Sequence, residues 1–278
     1  MLLFFVDHPR SSEYDLSSLK KLVFAGAPVT AVVFRKAIEQ FGNIFIHGFG
    51  TTETMGSATI LRTEEIAQAL AERRTDILSS CGKSYTDMEA EVVDERGKPV
   101  LPGVIGEIRI RGKGMTLGYW NKAEETKRAF RDGWYYSGDL GKVDACGYIH
   151  IDGRKTEMIV TGGENVFPAE VENVLYRHPA VGQVAVIGVQ DQKWGESVTA
   201  FVVSNPGAQV SEDDLGAFCR KELAGYKVPK KFLWAEDLPT SASGKLLKNK
   251  LKEQYVQRQF QQAGSSFAKQ SSAIPEDD

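Results

Sequence analysis

Short apolar runs punctuated by glycine set the rhythm of the first half of this chain. Leu22-Val23-Phe24-Ala25 leads into Gly26-Ala27-Pro28 and predicts a strand ending in a turn. Val32 to Phe41 has helical spacing, and Ile44-Phe45-Ile46 predicts a second buried strand, stopped by Gly48 and Gly50. Thr63 is placed to cap a helix running to about Arg73, with Glu64 and Glu65 in the first turn, where carboxylates complement the helix dipole. The period then changes. Glu89 to Val93 and Glu107 to Arg111 alternate polar and apolar residues, as half-buried antiparallel strands do. Asp94-Glu95-Arg96-Gly97 and Pro102-Gly103 supply turns, so this stretch predicts a small β-barrel or β-sheet unit.

The pattern beyond residue 154 is α+β. Pro168 suits the first turn of a helix, and Phe167, Val171, Val174 and Leu175 form one apolar stripe along it. Val184 to Val189 and Val198 to Val203 predict strands. Ser211 is placed to cap a helix that buries Leu215, Phe218 and Leu223. After about Tyr255 the chain turns polar, rich in Gln, Ser and Lys, and predicts a frayed tail over 256–278.

Composition narrows the function classes. A chain of 278 residues with 42% apolar and 26% charged residues has the makeup of an ordinary globule of one or two domains. A net charge of -3 gives no bulk attraction to nucleic acid or an anionic membrane. Cys81, Cys146 and Cys219 lie far apart without a C-x-x-C, which predicts reduced thiols rather than a disulfide frame or a zinc site. Leu2 to Val6 is too short to span a membrane and has no basic flank, so no transmembrane segment is expected and the cytoplasm is the expected compartment.

Four stretches have the residue types to carry chemistry. In His47-Gly48-Phe49-Gly50-Thr51-Thr52-Glu53, glycines admit a ligand to the backbone. There the threonines can donate to a phosphate, Glu53 can hold a hard cation such as Mg²⁺, and Phe49 offers a flat face to a purine. The plainer alternative is a tight strand-to-helix turn with a threonine cap. In Trp134-Tyr135-Tyr136-Ser137-Gly138-Asp139-Leu140, the Asp139 carboxylate can accept from both hydroxyls of a ribose, or merely close an Asx turn. Arg154 can add a cation beside the same sugar or phosphate, and Gly162-Gly163-Glu164-Asn165 reads as a side-chain-free loop; the alternatives are a surface arginine and a hairpin turn. Lys245, in Pro239-Thr240-Ser241-Ala242-Ser243-Gly244-Lys245, can stabilise charge that builds in a transition state, or be one more solvated lysine beside Lys248, Lys250 and Lys252.

In this order and at these separations, the four stretches resemble the ATP-dependent, adenylate-forming (AMP-binding) superfamily, in its acyl-CoA synthetase or fatty-acid–CoA ligase branch. The resemblance covers about Tyr14 to Tyr255. Its most specific strings are Gly162-Gly163-Glu164-Asn165-Val166-Phe167-Pro168-Ala169-Glu170-Val171-Glu172 and Tyr226-Lys227-Val228-Pro229. It implies the carboxyl-terminal part of a large AMP-binding domain over 1–153, an α/β subdomain plus a small β-barrel. A hinge over 154–156 and a small mobile α+β domain over 157–255 would follow. It also implies roles. Gly26, Ala27, Pro28 and Phe49 would frame the adenine, with Gly50 and Thr51 beside them. Thr52 would touch the α-phosphate and Glu53 the magnesium. Asp139 and Arg154 would hold the ribose. Lys245 would act in adenylation, and Gly162, Gly163, Glu164, Tyr226 and Lys227 would line the coenzyme A channel. The implied reaction joins a small carboxylic acid, fatty or otherwise hydrophobic, to CoA at the expense of ATP. Loading of a carrier protein, or nucleotide binding without catalysis, are the alternatives.

The pattern departs from the family at Thr156, where Asp or Lys is usual at the hinge, at Phe49 in place of Tyr, and at Ser241 in place of Thr. The Ser/Thr/Gly-rich loop that grips the β- and γ-phosphates in the family has no counterpart in these residues, so a truncated form is expected.

Overall fold

The structure, a computed structural model, describes residues 2–6, 8, 10–26, 29, 31–241 and 246–257. The expectations for Ala27, Pro28, Lys245 and most of the tail lie outside the described residues. The chain divides into two compact units, Met1–Met158 and Ile159–Asp278.

The first unit opens with α1 (Leu2–Val6), β1 (Leu22–Ala25), α2 (Ala31–Phe41), β2 (Phe45–Phe49), β3 (Thr59–Leu61), α3 (Thr63–Ala71) and β4 (Lys83–Ser84). Among the described residues these strands form one sheet in the order β1-β2-β3-β4, with β1 and β2 parallel and the others antiparallel. Phe34 and Ala37 on α2 are fully buried against it, and Phe24 and Phe34 meet edge to face with centroids 5.1 Å apart.

Two local expectations are corrected here. The second strand does not stop at Gly48. It runs to Phe49, with Gly48 paired to Ala25 on one side and Ile60 on the other. Glycine is needed there for space: a Cβ would come 2.4 Å from the Ser57 hydroxyl oxygen. Nor does Thr63 cap α3. Arg62 holds the cap position, its amide donating to Glu65 Oε2 at 2.8 Å, while the Thr63 hydroxyl donates to the Phe45 carbonyl at 2.9 Å.

The rest of the unit is β5 (Met88–Val93), β6 (Gly106–Gly112), α4 (Ala123–Ala129), β7 (Phe130–Arg131), β8 (Trp134–Val143) and β9 (Ile149–Arg154). They form an antiparallel sheet in the order β5-β6-β8-β7, with β9 added to β8. The predicted alternation sorts the side chains of β6. Ile108 and Ile110 are fully buried, while Arg109 and Arg111 reach Glu91 and Glu89 on β5 and both lie over a shared partner, the Trp134 ring, at 4.4 and 4.3 Å.

The second unit contains β10 (Ile159–Thr161), β11 (Glu164–Val166), α5 (Pro168–Leu175), β12 (Val181–Asp191), β13 (Gly195–Ser204), α6 (Glu212–Arg220) and β14 (Lys231–Trp234), then a helix α7 over 248–257. Its sheet runs β11-β10-β13-β12, and β14 pairs in parallel with β13. Pro168 opens α5, where its missing N–H costs no hydrogen bond. Ser211 caps α6, accepting the Asp214 amide at 3.1 Å. Val171, Val174, Leu175 and Leu215 share one core with Val184, Val198 and Phe232. Helix α7 continues through residue 257, two residues into the stretch predicted as a frayed tail. Among the described residues, no helix is long and apolar enough to cross a membrane.

Candidate functional site

The loop after β2 is closed by one side chain. The Thr54 hydroxyl accepts the Thr51 amide at 2.9 Å and lies 2.9 Å from the Thr51 carbonyl and 2.6 Å from that of Gly56. Gly50 permits this closure, because a Cβ on it would sit 1.8 Å from the Gly56 carbonyl oxygen. Thr52 stands exposed on the short turn, and the Thr51 hydroxyl is buried. Glu53 is held from outside the loop. The Tyr119 hydroxyl donates to its Oε1 at 2.6 Å, and its carbonyl accepts the Thr116 amide at 2.8 Å. Burial pushes the Glu53 carboxyl up, but the bonds from Tyr119, the backbone, Thr51 and Tyr135 outweigh it and hold the group below its ordinary value.

Phe49 does not present a free ring. It is 9% exposed and packs with Ala58, Cys81, Ile108 and Tyr135, so its face is spent on the core of the unit. Gly26 has φ +85° and ends β1 in the backbone region that glycine tolerates.

Asp139 lies in a strand rather than an Asx turn. It is the register partner of Arg154 on β9, and the Arg154 Nε donates to Asp139 Oδ1 at 3.0 Å. The carboxylate side chain is 9% exposed and the arginine 47% exposed. Both residues proposed for the ribose therefore meet across one strand pair. A cleft of about 550 Å³ lies beside them, lined by Ser137, Gly138, Tyr135 and Lys155, and also by Tyr119, the residue that holds Glu53.

In the second unit, Gly162 and Gly163 form the two-residue turn of the β10–β11 hairpin, with φ +60° and +86°. Trp194 covers the turn: its carbonyl accepts the Gly162 amide at 2.8 Å, and a Cβ on Gly162 would meet the indole at 2.9 Å. Glu164 is exposed at the start of β11. Tyr226 is half-exposed, and the Lys227 ammonium is bound to both Glu170 oxygens at 2.7 and 2.8 Å. Thr156 lies in the short helical turn Lys155–Glu157 after β9.

The family model described as AMP-binding enzyme matches residues 1–120, and that of the AMP-binding enzyme C-terminal domain matches residues 170–245. The chain belongs to the AMP-binding enzyme family. Its relatives include a feruloyl-CoA synthase from Amycolatopsis, 40% identical over 89% of this chain and 49% of the relative. A medium/long-chain-fatty-acid–CoA ligase, FadD8 of Mycobacterium tuberculosis, is 38% identical over 88% of this chain and 43% of its own length. Among solved structures, ATP-bound MatB from Rhodopseudomonas palustris superposes with a TM-score of 0.82 at 34% identity, over 90% of this chain and 48% of that one. The chain thus spans about half the length of the curated relatives it matches.

Several groups around the candidate residues were given no role from the sequence. Thr54, Tyr119, Tyr135, Glu107 and Trp194 all touch candidate residues. Tyr119 is 66 positions from Glu53, in a stretch with no periodicity. The one signal for it is the Gly118-Tyr119 pair, where Gly118 has φ +147° and a Cβ would come 2.5 Å from Thr126.

Proposed function

We propose that this chain supplies nucleotide-handling and thiol-transfer elements of an ATP-dependent, AMP-forming acid–CoA ligase. The observation that carries this reading is the Asp139–Arg154 pair, whose chain neighbours Gly138 and Lys155 line the same cleft as Tyr119, the tyrosine that orients Glu53. Asp139 and Arg154 would hold the ribose, and the exposed Thr52 would reach the α-phosphate.

Among the described residues, no three His, Cys, Asp or Glu side chains gather into a metal cage. A single carboxylate that the Tyr119 hydroxyl holds in its ionised form fits magnesium, which takes one or two carboxylates and shares its remaining positions with phosphates and water. Magnesium at Glu53 would neutralise charge on the phosphates.

In the first step a carboxylate oxygen attacks the α-phosphorus of ATP, and pyrophosphate leaves. Lys245 would offset the negative charge that builds during this displacement. In the second step the CoA sulfur, its proton lost, attacks the acyl carbon and AMP leaves with the bonding pair. Rotation of the second unit about Thr156 would exchange Lys245 for the Gly162-Gly163 turn between the steps. The names of the relatives support a fatty or other hydrophobic acid.

A second reading is nucleotide binding without turnover. Acid-dependent ATP–pyrophosphate exchange by the purified 278-residue chain separates the two. Exchange that is lost on Lys245→Ala supports the ligase. AMP binding without exchange supports the second reading, and absence of both overturns the nucleotide site. Offering CoA against a carrier-protein pantetheine then fixes the acceptor.

A further inference from the structure

Strand β8 carries more residues than its neighbour can pair. β6 sets Glu107 opposite Leu140 and Arg109 opposite Tyr136, so Ile108 alone faces Ser137, Gly138 and Asp139. This bulge sets three residues of β8 against one of β6, and Gly138 supports it with φ +73°. Bulged residues lose their ladder partners, and their amides need others. The Ser137 hydroxyl supplies one set, donating to the Ile108 carbonyl at 2.7 Å and accepting the Asp139 amide at 3.0 Å. Glu107 supplies the next: its Oε1 accepts the Gly138 amide at 3.2 Å. Its second oxygen lies 3.4 Å from the Lys155 ammonium, and the carboxylate side chain is only 15% exposed.

Gly138 immediately precedes Asp139, and Lys155 immediately follows Arg154. One carboxylate therefore grips the neighbour of each arm of the Asp139–Arg154 pair. Resting on the nucleotide reading above, we propose that Glu107 is a positioning residue for ribose recognition. It holds the bulge that aims Asp139, and it binds the ammonium that would otherwise compete with Arg154 for the Asp139 carboxylate. Removing it leaves the Gly138 amide without its acceptor and Lys155 without a counter-charge. The bulge then relaxes, and the clamp loses its geometry before the unit loses its fold.

The test compares AMP with 2′,3′-dideoxy-AMP, which lacks both hydroxyls that Asp139 would accept from. Binding of each is measured by calorimetry to the full chain, with folding checked by urea unfolding. The wild-type chain is expected to prefer AMP by about tenfold or more, as for hydrogen bonds to a charged acceptor. Glu107→Ala is expected to bring that preference within about twofold of unity while leaving dideoxy-AMP affinity unchanged. Glu107→Gln keeps an acceptor for Gly138 and loses only the Lys155 pair, so its preference should fall about threefold. An unchanged preference in folded Glu107→Ala overturns the assignment, as does equal weakening of both nucleotides, the mark of a purely structural role. If Glu107→Ala does not fold, Glu107→Gln decides alone, and an unchanged preference in it overturns the assignment. A wild-type chain with no preference at all sinks the ribose clamp itself, an outcome distinct from failure at Glu107.

Discussion

Thr54 closes its loop with a single hydroxyl, and that hydroxyl satisfies an amide which no strand partner reaches. Thr54→Ala is expected to cost about 1–2 kcal/mol, the penalty for stranding a buried polar group, measured by urea unfolding. Nothing local marks Thr54 out from Thr51 and Thr52; only closure of the loop around Gly50 and Gly56 decides which hydroxyl turns inward. His47 gives a prediction of another kind. It is buried, stacked on Phe24 at 4.5 Å, with Nδ1 3.0 Å from the Ser80 carbonyl. Burial holds its pKa below the ordinary 6.5, and the Ser80 carbonyl only partly opposes that. Above pH 6.5 the ring is neutral in both states and the stability is full. As pH falls below that value, the unfolded chain takes up a proton that the folded ring resists, so stability falls. His47→Gln should flatten the dependence of unfolding free energy on pH between about 5 and 7.

At the scale of elements, the alternation in β5 and β6 carries the most weight. Ile108 and Ile110 point inward while their neighbours make ion pairs, which is why these strands were legible from the sequence. Ile108→Ala is expected to destabilise the first unit by about 2–5 kcal/mol, read as a shift in urea midpoint with an unchanged slope. The helices were legible for the same local reason: Pro168 and Ser211 stand at the starts of α5 and α6. Gly48 and Thr63 were misread because their roles are tertiary. One admits Ser57 across the strand, and the other sends its hydroxyl back to Phe45. Asp139 shows the limit of strand periodicity. A motif names the residue, but its meeting with Arg154 and the bulge beside it depend on the registers of β6, β8 and β9.

For the molecule as a whole, the division into Met1–Met158 and Ile159–Asp278 sets a prediction about the two chemical steps. If Lys245 serves adenylation alone, Lys245→Ala should slow acid-dependent pyrophosphate exchange by about 10²–10³-fold. The same variant, given pre-formed acyl-adenylate, should still transfer the acyl group to CoA, as followed by chromatography of the thioester. Equal loss in both assays would remove Lys245 from a step-specific role. The sequence alone determined the order of the motifs, the family they resemble, and the period of most helices and strands. These are written within a few residues of one another, where backbone preference and side-chain alternation act directly. The tertiary structure decided which groups meet. Tyr119 reaches Glu53 across 66 positions, Phe49 turns into the core, and Glu107 holds the bulge beside Asp139. Such encounters depend on sheet register and packing, which emerge only when distant strands pair.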